Sequence, residues 1–189
     1  MPMRKPKLYI VTGISGSGKT TVARHLIQAG EVAFDSKLNS NLYQFVDGAG
    51  QAAKSVDIHN EAWRKQYKWS LNEARLGELL EQNQAASRVF LCGRANIFQY
   101  WDKAQAVFLL KVNALTLHQR LNNASRDNLF AKDAETQNKL LNELDLVQAK
   151  IAQKGAIIID ANISIEEVVN QIIFRLKLNS HIERRGTLT

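Results

Sequence analysis

An apolar, β-branched run, Leu8-Tyr9-Ile10-Val11-Thr12, is followed without a gap by Gly13-Ile14-Ser15-Gly16-Ser17-Gly18-Lys19-Thr20. The octet is a complete Gly-x4-Gly-Lys-Thr phosphate loop, set between a strand pattern and a helix pattern, as its mechanism requires. Its glycines admit backbone angles that a Cβ would forbid, so successive N–H groups can turn inward around an anion. The helix that opens near Lys19 adds the positive end of its dipole. On this reading the loop, with Gly13, Ser15, Gly16, Ser17, Gly18 and Thr20, and with Thr21 just beyond, holds the phosphates of a nucleotide. Lys19 reaches the β- and γ-phosphates, and the Thr20 hydroxyl takes Mg²⁺. With every fixed position present and a strand upstream, a glycine-rich turn that binds nothing is the lesser reading.

The 189 residues are enough for one domain with a real core. A net charge of +7 suits an anionic ligand such as a nucleotide, and would also suit nucleic acid. The charge is spread along the chain, which favours a solvated basic surface over a nucleic-acid patch. One cysteine, Cys92, excludes an internal disulfide framework. No apolar run is long enough to span a membrane. The basic start, Met-Pro-Met-Arg-Lys-Pro-Lys, leads into a strand rather than into a signal-peptide pattern. The expectation is a cytoplasmic protein with no membrane partner.

Along the chain, Thr21 to Ala29 carries a helical stripe (Val22, Ala23, Leu26, Ile27) that Gly30 stops. Val32-Ala33-Phe34-Asp35 is a second strand ending in an acid. The polar stretch from Ser36 to Val56 reads as a long loop. Asp57 to Lys68 reads as a helix. Ser70-Leu71-Asn72-Glu73 has the spacing of a capping box, so a helix is expected from there to about Asn83. Val89 to Cys92 and Ala106 to Val112 give a third and a fourth strand. Helices follow over Leu115–Ala124 and Asp133–Lys154. Ala156 to Asp160 is a fifth strand. A second capping box, Ser164 to Glu167, opens a last helix with the stripe Val168, Val169, Ile172, Ile173 and Leu176. The polar tail from Asn179 is expected to fray. Five apolar strands alternating with helices predict an α/β fold, a parallel sheet covered on both faces. Its ligands should then lie at the carboxyl ends of the strands.

The Asn-Lys-x-Asp motif of GTP switch proteins is missing; the nearest string, Asn138-Lys139-Leu140-Leu141, lacks the acid. A motor or unfolding ATPase needs a larger chain. The loop, the short domain, Asp35 after the second strand and Gly93 after the third instead resemble the small phosphate-loop kinases, which include shikimate, gluconate and nucleoside monophosphate kinases. Val89-Phe90-Leu91-Cys92-Gly93, Val107-Phe108-Leu109-Leu110, Arg120-Leu121, the segment from Ser125 to Lys132, and Gly155 to Ala161 are similar to a shikimate-kinase-like branch of ATP-binding proteins. The resemblance spans about residues 7 to 176.

The resemblance implies a P-loop NTPase fold of one domain, with sheet order 2-3-1-4-5. It implies an acceptor-side segment over about residues 36–69 and a lid over about 122–133. The cofactors it implies are ATP and Mg²⁺, and the activity is transfer of the γ-phosphate to a small hydroxyl- or phosphate-bearing acceptor. A basic lid has a physical reason, since charge on the moving phosphoryl group must be held while water is shut out. Arg126 is the leading lid candidate, with Arg120 and Lys132 behind it. Asp35 is expected to orient an acceptor hydroxyl or a Mg²⁺-bound water, and with Thr20 to form the metal site. Shikimate-kinase-like relatives often carry Asp-x-Asp here. This chain has Asp35-Ser36-Lys37, so Lys37 replaces the second acid and would instead meet an anionic substrate. Gly93 would let a substrate approach the backbone, and Arg94 would clamp a carboxylate or phosphate or else lie on the surface. Asn162, after the fifth strand, stands where such kinases hold the adenine base, largely through backbone.

Trp63, Tyr67 and Trp69 lie on the acceptor side, where packing of a small helical cap is favoured over stacking on a ligand. His59 has no spaced second ligand, and Cys92 reads as a buried strand residue. Two other function classes stay open. One is a kinase acting on a nucleic-acid 5′-hydroxyl. The other is a non-catalytic, nucleotide-gated binding protein.

Overall fold

The structure, a computed structural model, describes residues 6–58, 60–94, 96–123, 131 and 133–186, with no account of the side chains of 178–186. The strands are β1 (Lys7–Thr12), β2 (Val32–Asp35), β3 (Tyr43–Val46), β4 (Lys68–Leu71), β5 (Arg88–Cys92), β6 (Ala106–Lys111) and β7 (Ile157–Asp160). The helices are α1 (Lys19–Gln28), α2 (Glu61–Gln66), α3 (Glu73–Gln82), α4 (Ala114–Leu121), α5 (Ala134–Gln153) and α6 (Ile165–Gly186), with a 3-10 helix over Ile97–Lys103.

Five strands form a parallel sheet in the order β2-β5-β1-β6-β7, which is 2-3-1-4-5 when only the parallel strands are counted. The inner strands read as continuous apolar runs because both faces of the sheet are covered. Alternate residues feed two cores. Tyr9, Val11, Phe90, Cys92, Phe108 and Leu110 pack against α1, α4 and α6. Ile10, Val89, Leu91, Val107 and Leu109 pack against α3 and the 3-10 helix. α5 gives Leu140 and Leu144 to the first core and Ile151 to the second. The pairings Val11 with Cys92, Asp35 with Cys92, and Lys111 with Asp160 bring the strands' carboxyl ends out along one rim.

Three sequence expectations are corrected. The stretch from Ser36 to Val56 is not all loop. It contains β3, which pairs antiparallel with β4 in a separate two-stranded sheet. The expected helix over 57–68 shortens to α2, because Asn60 caps it by accepting from the Trp63 amide and Lys68 already belongs to β4. The capping box at Ser70 does not form. Ser70 lies opposite Gln44 in the ladder, and the Asn72 side chain caps α3 by accepting from the Arg75 amide. The second box is present, with Ser164 and Glu167 exchanging hydrogen bonds at the head of α6. α6 runs past Asn179, the expected start of the tail, to Gly186. Among the described residues no helix is long and apolar enough to cross a membrane.

Candidate active site

The loop between β1 and α1 takes the shape its sequence predicts. Gly16 and Gly18 adopt φ of 89° and 103°, which side-chain-bearing residues rarely hold. A Cβ on Gly16 would also press to 2.8 Å from Leu117 of α4. Ile14 is fully buried and anchors the loop in the core. Ser15 is half-buried, and Thr21 is exposed in the first turn of α1. Five helices start under a side-chain cap from Asn60, Asn72, Asn113, Asp133 or Ser164. α1 starts at Gly18 with no side-chain cap and no acid in its first turn. No capping side chain or acid therefore competes with an anion at this helix start, which fits a nucleotide phosphate. Lys19 folds over the loop and donates to the carbonyls of Gly13 and Ile14, each at 2.9 Å.

Thr20 and Asp35 meet at the rim. The Thr20 hydroxyl lies 3.1 Å from both carboxylate oxygens. Asp35 is 3% exposed. Burial pushes its carboxyl above the ordinary value of 3.8, opposed by the Lys37 amide, the Thr20 hydroxyl and the charges of Lys19 and Lys37. The Lys37 amide donates to Asp35 at 2.9 Å, and the Asp35 amide donates to Asn39 at 3.0 Å. A hydroxyl and a carboxylate beside a phosphate cradle are hard oxygen donors of the kind Mg²⁺ takes together with nucleotide oxygens. Among the described residues no three His, Cys, Asp or Glu side chains cluster as a metal site. Thr12 and Ser17 hydroxyls lie buried beneath the loop with no hydrogen-bond partner among the described residues.

Arg120 is half-buried and bridges two segments. Nη1 donates to the Ser17 carbonyl at 2.9 Å, and Nη2 donates to the Ala161 carbonyl at 2.6 Å. Burial lowers its pKa. It braces the back of the phosphate loop against the turn after β7, rather than extending from a lid. Asn162 is in that turn, but its side chain is engaged within the fold. Its Oδ1 accepts from the Asn113 amide at 2.9 Å, and its Nδ2 donates to Asp160 at 2.7 Å. The leading lid residue, Arg126, lies outside the described residues, as do Lys132 and His59.

Gly93, just after β5, is close-packed by protein, so the expected approach of a substrate to its backbone is not open. A Cβ there would overlap the Tyr43 hydroxyl. Tyr43 is 8% exposed, and burial, reinforced by Cys92 and Asp35 nearby, raises its pKa so that it stays protonated. No motif marks Tyr43 in the sequence; the alternation Tyr43-x-Phe45 is the available signal. Cys92 is buried as expected, and burial raises its thiol pKa. Arg94 and Lys37 are exposed. Trp69 packs with Tyr43 and Phe45, Trp63 packs with Phe45, and Tyr67 stacks on Trp63.

Solved structures share this fold. Shikimate kinase from Acinetobacter baumannii, in complex with shikimate, aligns over 94% of this chain and 96% of its own at 19% identity and a TM-score of 0.55. Deoxyadenosine kinase from M. mycoides aligns over 90% and 98% at 12% identity and 0.52. A gluconokinase from Sinorhizobium meliloti 1021 aligns over 95% and 98% at 16% and 0.51. In sequence, a protein of Syntrophotalea carbinolica described as a nucleotide-binding protein is 39% identical over 80 residues, which are 39% of this chain and 28% of that protein's length. The AAA domain family matches residues 10–135, more than half of the chain. The chain therefore belongs to the AAA domain family and has the fold of the small phosphate-loop kinases.

Proposed function

We propose that the protein is an ATP- and Mg²⁺-dependent phosphotransferase that moves the γ-phosphate to a small hydroxyl- or phosphate-bearing acceptor. The observation that carries this reading is the Thr20 hydroxyl set 3.1 Å from the buried Asp35 carboxylate beside an uncapped helix start. In this account the loop amides and Lys19 hold the phosphates, with Lys19 exchanging its two loop carbonyls for phosphate oxygens. Thr20 and Asp35 supply oxygen ligands for Mg²⁺, which neutralises charge on the nucleotide. Asp35 also orients the acceptor, and Arg126 closes over the transferring group. The bond from the γ-phosphorus to the β–γ bridging oxygen breaks, a new P–O bond forms to the acceptor oxygen, an acceptor hydroxyl releases its proton, and ADP leaves. Little covalent chemistry falls to the protein, since positioning and charge do most of the work.

The test is acceptor-stimulated ADP formation across nucleosides, nucleoside monophosphates, sugars, sugar acids, shikimate-like acids and 5′-hydroxyl oligonucleotides. One acceptor should stimulate turnover well above the rate with water. A flat panel together with tight ATP binding would favour the second reading, a nucleotide-gated binding protein. Lys37 in place of a second acid is the observation behind that alternative.

A further inference from the structure

The two edge strands of the main sheet differ. β2 is covered, with Ala33, Phe34 and Asp35 buried. β7 is not. Among the described residues no strand lies beyond it, and Ile158 at its middle is 47% exposed. An open edge with an apolar side chain on it is a template for another strand.

Backbone direction decides what that edge offers. The Ala161 amide donates inward to the Lys111 carbonyl at 2.8 Å. The Asp160 amide, one residue back, points outward and donates to Gln171 Oε1 of α6 at 3.3 Å. Ile158, two residues further back, directs its N–H and C=O outward as well, so a second strand would pair on it.

Gln171 also marks the face of α6 that looks along this edge. Glu167 stands one turn before it and Arg175 one turn after it, both exposed, so the three form a stripe of acid, amide and base. Phe174 beside the stripe is 59% exposed. The stripe is symmetric about Gln171. An antiparallel copy of α6 sets each Glu167 against an Arg175, whereas a parallel copy would set like against like. Charges of one sign on an edge repel a second copy; these, opposite in sign, attract one turned end for end.

We propose that a second copy of this chain docks along β7, antiparallel, about a twofold axis near Ile158. Each Ile158 N–H donates to the Ile158 carbonyl of the other copy, and the two sheets become one. Ile159 faces the core beneath α6, so Ile158 lies on the opposite face of the strand. The two Ile158 side chains meet on that face. The two α6 stripes meet on the other and cover Phe174. The contact is isologous and closed, so assembly stops at the dimer. A foreign extended peptide would use the strand edge but not the order of Glu167 and Arg175.

Sedimentation equilibrium on the full chain reads the assembly, after circular dichroism has confirmed that each variant is folded. Wild type should dimerise reversibly, and more weakly as salt is raised, because the α6 pairs are exposed charges. Ile158→Lys should weaken the dimer by about 10-fold or more, and so should Arg175→Glu, which leaves the stripe acidic at both ends. Glu167→Arg leaves it basic at both ends and also removes the partner of the Ser164 hydroxyl, so it is read in a mixture. Mixed with Arg175→Glu, it should form a heterodimer within roughly threefold of wild-type affinity, while neither variant dimerises as well alone.

Wild type that stays monomeric up to about 100 µM would overturn the proposal. A dimer that Ile158→Lys leaves intact would overturn it too, as would open-ended assembly in place of a dimer. Arg175→Glu that dimerises as tightly as wild type, or a mixture that associates no better than its components, would rule out the antiparallel pairing of the stripes.

Discussion

The Thr20 hydroxyl sits 3.1 Å from each carboxylate oxygen of Asp35, joining the first turn of α1 to the end of β2. The contact holds a carboxylate in a place where burial disfavours its charge. A group of this kind has a definite signature in stability against pH. Its folded pKa lies above the ordinary 3.8, so the native state binds the proton more readily than the unfolded chain. The associated stability is fully present below pH 3.8 and is lost as pH rises through the folded pKa. In nucleotide-free protein, Asp35→Asn should therefore melt at a higher temperature than wild type at pH 7. The difference should shrink as pH falls toward 4. Thermal melts across that range check it, and a gap that widens on acidification would contradict the assignment.

Gly93→Ala should be destabilising by about 1–3 kcal/mol, because the added methyl meets the Tyr43 hydroxyl in a filled space. The cost should largely vanish in a Tyr43→Ala background. Urea denaturation of the two single variants and the double variant measures the coupling. Simple additivity would mean that Tyr43 is not what confines Gly93.

Arg120→Ala should lower stability by about 1.5–3 kcal/mol, the range for hydrogen bonds made by a charged group. It should also weaken ATP binding, because the Ser17 carbonyl loses its brace. Arg120→Lys should not rescue either property. A lysine offers a point charge, whereas the guanidinium fork reaches Ser17 and Ala161 together. Calorimetric titration with ATP and a denaturation curve read the two effects, and a wild-type-like lysine variant would refute the bracing role.

Asn162→Ala should separate fold from ligand. The side chain satisfies the Asn113 amide at the head of α4, so its loss should cost about 0.5–1.5 kcal/mol of stability. ATP affinity should move less than twofold if the base is held through backbone there. A large loss of affinity with no loss of stability would place the Asn162 amide on the base instead.

The main sheet was legible because each of its strands is an apolar run several residues long, bounded by turn residues or a helix pattern. Val89 to Cys92 and Ala106 to Val112 have no competing period. The phosphate loop was legible because its mechanism fixes spacing as well as residue type. The β3–β4 hairpin was not. Its strands are four residues each and interleave apolar with polar positions, Tyr43-Gln44-Phe45-Val46 and Lys68-Trp69-Ser70-Leu71. They pair across 21 intervening residues rather than through a tight turn, so the local hairpin signal is missing. Ser70 shows how local grammar loses to pairing, since its backbone is taken by the ladder with Gln44 and the cap passes to Asn72. Thr20 and Asp35 were named from motif and strand end, but their hydrogen bond needed the sheet. The sequence offers Arg120 as a lid cation, yet its two carbonyl partners come from segments 103 and 41 positions away, which no local pattern reveals.

The most direct test of the phosphotransfer site pairs ATP affinity with acceptor-stimulated turnover in wild type, Lys19→Ala and Asp35→Asn. Lys19→Ala should lose both ATP affinity and turnover. Asp35→Asn should keep ATP affinity within a few-fold while turnover falls about 100-fold or more, the scale on which a misplaced reacting group costs rate. ATP affinity unchanged in Lys19→Ala, or turnover unchanged in Asp35→Asn, would contradict the account.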